Sequence, residues 1–351
     1  MNKEKAAFIT GINGQDGSYL TELLLEKGYY VYGIIRRMSL MNTQRIDHII
    51  EQKNPKFNYN YGDITDTTCL YRNIEEIINK HKAVEVYHLA AQSHVKVSFD
   101  MPEYTNEVNA NGTLKLLEVC RSIKETYKLE KEALKIYIAC TSEMYGDVLE
   151  IPQSELTPFN PCSPYAVSKL FAFYMAKNYR EAYNMFICSG ILFNHESPRR
   201  GFNFVTRKVT IGLGKILKGE IQHIEMGNIE SVRDWGHAKD YVYAMYLMLQ
   251  QNIPDDFVIA TNETHTVREF IEKSFARKNI HITWQGIRGS EDEIGVDENG
   301  IIRIKINSKY FRPTEVKYLQ GDPLKAQKKL GWKPKISFDE IITEMVEADC
   351  I

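Results

Sequence analysis

The 351-residue sequence predicts an α/β protein, a Rossmann-like, doubly wound parallel sheet with a smaller C-terminal α/β lobe that binds substrate. Three observations lead there. Strand-like apolar runs alternate with helical periodicity from residue 6 to residue 193, the pattern of a parallel sheet with helices on both faces. The first run passes straight into a glycine-rich turn and then a helix. Beyond about residue 195 the alternation loosens, without a repeat or a low-complexity linker. The expected division is therefore 1–195 for nucleotide binding and 196–351 mainly for substrate, with some later segments returning to the first domain.

Each element has its own local reason. Ala6–Thr10 is a short apolar run and the first strand. Tyr19, Leu20, Leu23 and Leu24 share one helical face, and that helix stops at Gly28. Tyr30–Ile35 is a second strand and Phe57–Tyr61 a weaker third. Residues 70–80 carry Leu70, Ile74, Ile77 and Ile78 at helical spacing, and 84–89 form a fourth strand. A helix over 108–123 holds Leu114, Leu117 and Val119. A fifth strand over 134–140, a long helix over 165–183 and a sixth strand over 186–193 complete the regular part. Later helices are expected over 204–218, 240–251, 267–277, 324–330 and 338–348. Glu298-Asn299-Gly300 before Ile301-Ile302 predicts a hairpin turn.

Composition excludes several classes. Lys plus Arg is 44 against 46 Asp plus Glu, so no general pull towards nucleic acid or an acidic membrane is expected. A 43% hydrophobic, 26% charged chain is ordinary for a globular enzyme and wrong for a disordered one. No apolar run approaches the ~20 residues of a membrane span, and Ala6 to Ile9 is too short for a signal peptide. The six cysteines form no C-x-x-C pair and read as reduced thiols of a cytoplasmic protein. The histidines show no metal-ligand spacing, so no metal is expected.

The first turn reads Gly11-Ile-Asn-Gly14-Gln-Asp-Gly17. One glycine permits the tight turn, the next lets backbone approach a pyrophosphate, and the third lets helix and strand pack closely. The spacing is G-x-x-G-x-x-G, and any sharp strand-to-helix turn also uses glycines; its place at the first β–α turn favours a dinucleotide. Strand two ends Arg36-Arg37, not in the acid usual for a ribose hydroxyl. Two guanidiniums suit a 2′-phosphate, which favours NADP over NAD; the alternative is a solvated basic pair. Asp63-Ile64 ends strand three, where a polar group can meet adenine, and small residues around Ala91 and Ser93 end strand four.

Tyr165 and Lys169 stand four apart at the start of the long helix, on one face and about 5–6 Å apart at Cβ. A nearby ammonium is expected to lower the tyrosine pKa, so that phenolate takes a proton from a substrate hydroxyl. Thr141 and Glu143 lie two apart at the end of strand five and are expected to point the same way. Thr141 can bond the hydroxyl being oxidised, and Glu143 is a second acid/base group. The alternatives are a strand-end packing residue and a loop cap.

Together these residues resemble the extended short-chain dehydrogenase/reductase superfamily and, within it, the GDP-mannose 4,6-dehydratase family. The resemblance runs from Thr10 to about Asp349 and is sharpest over 11–20, 91–95, 141–146, 192–201, 203–208, 233–240 and 312–315. It implies that Tyr165 is the base at the sugar 4-hydroxyl, with Lys169 tuning it and Thr141 assisting. Glu143 would handle the C5 proton and the departing 6-hydroxyl; related epimerases usually carry no glutamate there. The implied reaction oxidises C4, eliminates water across C5 and C6, and returns the hydride to C6. It would convert GDP-mannose to GDP-4-keto-6-deoxy-D-mannose, on the way to GDP-fucose or GDP-rhamnose.

The resemblance carries contacts with NADP to Gly11, Asn13, Gly14, Gln15 and Asp16 in the turn. It carries them also to Arg36, Asp63, Ile64, Leu89, Ala91 and Ser93 at strand ends, and to Tyr104, Lys169, His195 and Arg200. Asn194, Asn203, Lys208 and Arg233 would meet the substrate. Self-association as a homodimer or homotetramer is implied as well. In relatives the stretch 36–45 holds NADP and joins subunits; here Met38 and Gln44 replace a small polar residue and a glycine. The runner-up is another nucleotide-sugar epimerase or 4-reductase on the same scaffold. A non-catalytic NADP-binding sensor is the remote alternative, and the intact Thr141, Glu143, Tyr165 and Lys169 set argues against it.

Overall fold

The computed structural model describes residues 5–351. The first part alternates as its periodicity demands. β1 (Ala6–Thr10), α1 (Gln15–Glu26), β2 (Tyr30–Ile35), α2 (Asp47–Glu51), β3 (Phe57–Tyr61), α3 (Thr67–Lys80) and β4 (Val84–His88) come first. Two short helices follow, α4 (Val95–Asp100) and α5 (Pro102–Asn106), then a π turn (Glu107–Asn111) and α6 (Gly112–Thr126). Next are β5 (Leu134–Thr141), a 3₁₀ turn (Ser142–Met144), α7 (Pro164–Ala182), β6 (Phe186–Leu192) and β7 (Asn194–Glu196). The rest is α8 (Val205–Leu217), β8 (Ile224–Met226), β9 (Val232–Arg233), β10 (Trp235–His237), α9 (Ala238–Leu249), β11 (Asp256–Ile259) and β12 (His265–Thr266). It closes with α10 (Val267–Ala276), β13 (Thr283–Gln285), β14 (Ile294–Val296), β15 (Ile302–Ile306), α11 (Leu324–Leu330) and α12 (Phe338–Asp349).

The main sheet has seven strands in the order β11-β6-β5-β4-β1-β2-β3. All its pairings are parallel. β1, β4 and β6 are buried at every position, as strands covered on both faces must be. The order reverses at β1, which opens a crevice above the carboxyl ends of β1 and β4.

Six of the seven strands are those expected. The seventh, β11, comes from the C-terminal half and pairs with β6, from Asp256 opposite Ser189 to Ile259 opposite Leu192. α9 belongs with it, because Tyr241, Met245 and Met248 share one core with Leu20 and Leu24 of α1. The helix expected over 108–123 instead begins as the π turn and straightens at Gly112.

A second, four-stranded sheet, β13-β14-β15-β8, lies in the C-terminal half. It packs with α8, α10 and α12 around Leu213, Ile224, Phe270, Ile304 and Met345. The expected hairpin turn joins β14 to β15; Gly300 has φ 75°, and Asp297 accepts from the amides of Asn299 and Ile301. Helix starts are capped where the sequence allows it: Asp66 on α3, Ser163 before Pro164 on α7, and a Ser337–Glu340 capping box on α12. All six cysteines are unpaired, and among the described residues no helix is long and apolar enough to cross a membrane.

Candidate active site

A cleft of about 1080 Å³ lies above the carboxyl ends of the central strands, and the site residues named from the sequence line it, with the exception of Arg37. The glycine turn forms its floor. Gly11 has φ +75°, and a Cβ there would come within 3.0 Å of the Ala90 backbone. At Gly17 a Cβ would lie 2.3 Å from the Gly11 carbonyl oxygen, so helix and turn close on each other. Gly14 caps α1 without a side-chain bond. The first amides of α1 therefore face the cleft with no side-chain acceptor, a fit for a bound pyrophosphate.

Gln15 and Asp16 do not point freely into the cleft. The Gln15 amide donates to the His195 carbonyl at 3.1 Å and accepts from Ser197 Oγ at 2.8 Å. Asp16 Oδ2 pairs with His195 Nε2 at 2.8 Å, while His195 Nδ1–H donates to the Phe193 carbonyl at 2.8 Å. Burial opposes ionisation of Asp16, but the charge and hydrogen bond of His195 outweigh it and hold the carboxyl below its usual range. These three residues lock α1 to the end of β6 and β7. Asn13 donates to the Asn42 carbonyl at 2.6 Å, and Arg36 bonds the Tyr104 hydroxyl. Asp63 is occupied by Thr65, accepting from its amide at 2.9 Å and its hydroxyl at 2.8 Å. Ile64, Leu89, Ala91 and Ser93 complete this wall.

Thr141 and Glu143 do meet in the cleft, but not by strand alternation. β5 ends at Thr141, whose Oγ1 accepts from the Glu143 amide at 3.2 Å and caps the 3₁₀ turn that carries Glu143. Tyr165 is buried, and burial raises its hydroxyl above the ordinary tyrosine range; the bond to Thr141 pulls it down and the charge of Glu143 pushes it up. Lys169 donates to the Ala139 carbonyl at 2.9 Å, and burial holds its ammonium below the usual lysine range. The expected depression of Tyr165 by Lys169 is thus corrected. The ammonium is turned to β5, and the loss of solvent dominates the tyrosine.

The opposite wall comes from the C-terminal half. Arg233 is buried, donates to Glu315 at 3.2 Å and to the Val232 carbonyl at 2.9 Å, and burial lowers its pKa. Lys208 Nζ lies 3.5 Å from the centroid of the Tyr310 ring, and burial brings it down to about 8. Arg200 pairs with Glu196 at 3.2 Å and lies over the Phe204 ring. Asn194 and Asn203 stand close by. Arg207 is a different case: it pairs with Asp349 through two bonds of 2.7 Å and ties α8 to the end of α12.

Two residues escaped the sequence reading. Asn109, in the π turn, donates to the Gln92 carbonyl at 3.0 Å and to Ser168 Oγ at 3.1 Å, and accepts from the Gln92 amide at 2.9 Å. It joins the loop after β4 to the residue beside Lys169. A polar side chain amid an apolar helical pattern was its sequence signal. Arg312 brings Nη1 to 3.6 Å from Glu143 and 3.5 Å from Glu315. Its signal was the family-like stretch 312–315, to which no role had been attached.

A doubly wound sheet, a glycine turn under an uncapped helix and a buried Tyr–Lys helix beside a strand-end Thr and Glu define an extended short-chain dehydrogenase/reductase. A solved Thermus thermophilus UDP-glucose 4-epimerase complex with NAD shares this fold, at TM-score 0.77 and 25% identity over 98% of both chains. A family model described as GDP-mannose 4,6 dehydratase matches residues 8–345. The chain is 54% identical to GDP-mannose 4,6 dehydratase 2 of Caenorhabditis elegans, covering 99% of this chain and 89% of that one. It is 53% identical to the Homo sapiens GDP-mannose 4,6 dehydratase, over 98% and 91%. The chain belongs to the GDP-mannose 4,6-dehydratase family.

Proposed function

We propose that this chain removes water from GDP-D-mannose to give GDP-4-keto-6-deoxy-D-mannose, a step towards GDP-6-deoxysugars. Family membership supports the substrate. The observation that carries the chemistry is Glu143, an acid/base group distinct from Tyr165 in the same cleft. Oxidation at C4 requires one proton acceptor; elimination across C5 and C6 requires another. The coenzyme is a nicotinamide dinucleotide, which supplies the hydride acceptor for C4 and the donor for C6. Arg36 and Arg37, where strand two leaves no acid, support NADP.

The chain's own residues divide the proton work. Tyr165 takes the proton of the 4-hydroxyl, and Thr141, bonded to it, favours the phenolate. The resulting ketone acidifies C5–H, so Glu143 removes that proton and passes it to the departing 6-hydroxyl. Lys169, freed from Ala139, is a donor for the coenzyme ribose. Arg233 and Lys208 offer positive charge to the GDP diphosphate, with Asn194 and Asn203 at the sugar. The coenzyme residues are those named above from Gly11 to Arg200.

We take 1–195 as the coenzyme domain and 196–351 as mainly the substrate lobe, with α9 and β11 returned to the first. Self-association as a homodimer or homotetramer is supported by Val167, Phe171 and Tyr174, exposed at helical spacing on α7; light scattering tests it. A reducing cytoplasm suits the unpaired thiols. The deciding experiment incubates purified protein with GDP-mannose and catalytic NADP⁺ and follows mass. Loss of one water without net NADPH is expected. Isomerised sugar at unchanged mass would move the reading to an epimerase.

A further inference from the structure

A second, open pocket of about 340 Å³ adjoins the main cleft, sharing Arg36, Gly62 and Asp63 with it. Its other walls include Arg37, from the end of β2, and Arg72, from α3. All three arginines are exposed. Arg36 bonds the Tyr104 hydroxyl and Arg37 lies 5.8 Å from the centroid of the Tyr61 ring. Among the described residues no carboxylate forms an ion pair with any of the three. Two carboxylates line the same pocket, but both are engaged: Asp63 by Thr65 and Asp66 by the Cys69 amide at 3.0 Å.

The position of Arg72 is built, not incidental. Gly62 lets α3 approach the strand ends, since a Cβ there would lie 2.6 Å from Cys69 Sγ and 3.1 Å from Ile34. The neighbour of Arg72, Asn73, accepts from Asn60 of β3 at 2.9 Å and donates to the Cys69 carbonyl at 2.7 Å. These contacts fix the turn of α3 that carries the guanidinium. Three guanidiniums without a carboxylate partner, two just past the end of β2 and one on α3, form a receptor for a doubly charged phosphate monoester, which guanidinium forks bind bidentately.

We infer that Arg72 is a specificity-determining residue of this pocket, completing with Arg36 and Arg37 a three-armed site for the 2′-phosphate of the coenzyme. The inference rests on the reading of the coenzyme as NADP, and goes beyond it by placing part of the discrimination on α3.

The test is calorimetric titration of the whole protein with NADP⁺ and, separately, NAD⁺, for the wild type, Arg72→Gln and Arg72→Lys. Arg72 is exposed, so the fold should survive, and a thermal melt checks it. Arg72→Gln is expected to weaken NADP⁺ about tenfold to a hundredfold and leave NAD⁺ unchanged. Arg72→Lys should fall between, because it keeps charge but loses the fork. Arg72→Gln that retains the wild-type preference for NADP⁺ overturns the role of Arg72 alone. A wild type that binds both coenzymes equally overturns the NADP reading and this inference together. Equal weakening of both coenzymes also overturns it.

Discussion

Tyr165 and Glu143 share a cleft but meet different surroundings, and the difference predicts separable losses. On the proposed roles, Tyr165→Phe removes the acceptor for the 4-hydroxyl proton, so turnover should drop by about 10²–10⁴-fold, with no reduced coenzyme at the first turnover. Glu143→Gln leaves that acceptor in place. Oxidation should persist, seen as a burst of reduced coenzyme, while C5 deuterium exchange and water loss stall. Full turnover by Glu143→Gln would remove Glu143 from the mechanism. Lys208 gives a pH prediction. Burial lowers its ammonium to about 8, so the cation is complete below that value and lost as pH rises through it. GDP affinity should therefore weaken from about pH 7 to about pH 9.5. In Lys208→Gln that slope should disappear; a wild-type affinity flat across the range would sink the idea.

At the scale of elements, the turn between β1 and α1 shows how closely sequence and geometry agree. Gly17 sits 2.3 Å, at a built Cβ, from the Gly11 carbonyl and 2.7 Å from Ile12 Cα, both backbone. Neither can yield as a side chain could. Gly17→Ala should cost about 1–3 kcal/mol in a denaturant titration and abolish coenzyme binding. Unchanged stability would mean that the turn relaxes freely. This element was legible because its glycines and the apolar run before them are local. So was the Tyr165–Lys169 helix, whose face is set by spacing alone. The π turn was not legible. It changes the backbone ladder without changing which residues are apolar, so Asn109 read as one more position in a helix. The strand alternation that placed Glu143 beside Thr141 gave the right neighbours by the wrong local structure, because β5 gives way to a 3₁₀ turn at Ser142. Lys169 was placed on the right face, but its partner, Ala139, belongs to another element.

For the whole molecule, the decisive feature is the strand that the C-terminal half lends to the first sheet. β11 has four residues, lies just after Pro254-Asp255 and has no period of its own, so only its pairing reveals it. Arg180 of α7 clasps it, with bonds of 2.8 and 2.6 Å to Asp256. Asp256→Asn leaves a largely buried guanidinium without its charge partner and should cost about 3–5 kcal/mol in urea unfolding; an unchanged midpoint would show the clasp to be dispensable. A fragment of residues 1–195 should be insoluble, since β6, buried along its whole length, becomes an open edge. A monomeric, coenzyme-binding fragment would refute that dependence. The same borrowing sets an order on synthesis. A nascent chain that has left the ribosome as far as β6 carries an apolar, half-paired strand that nothing yet made can cover. It stays so until residue 259 has emerged, and during that interval the protein depends on chaperones or on speed.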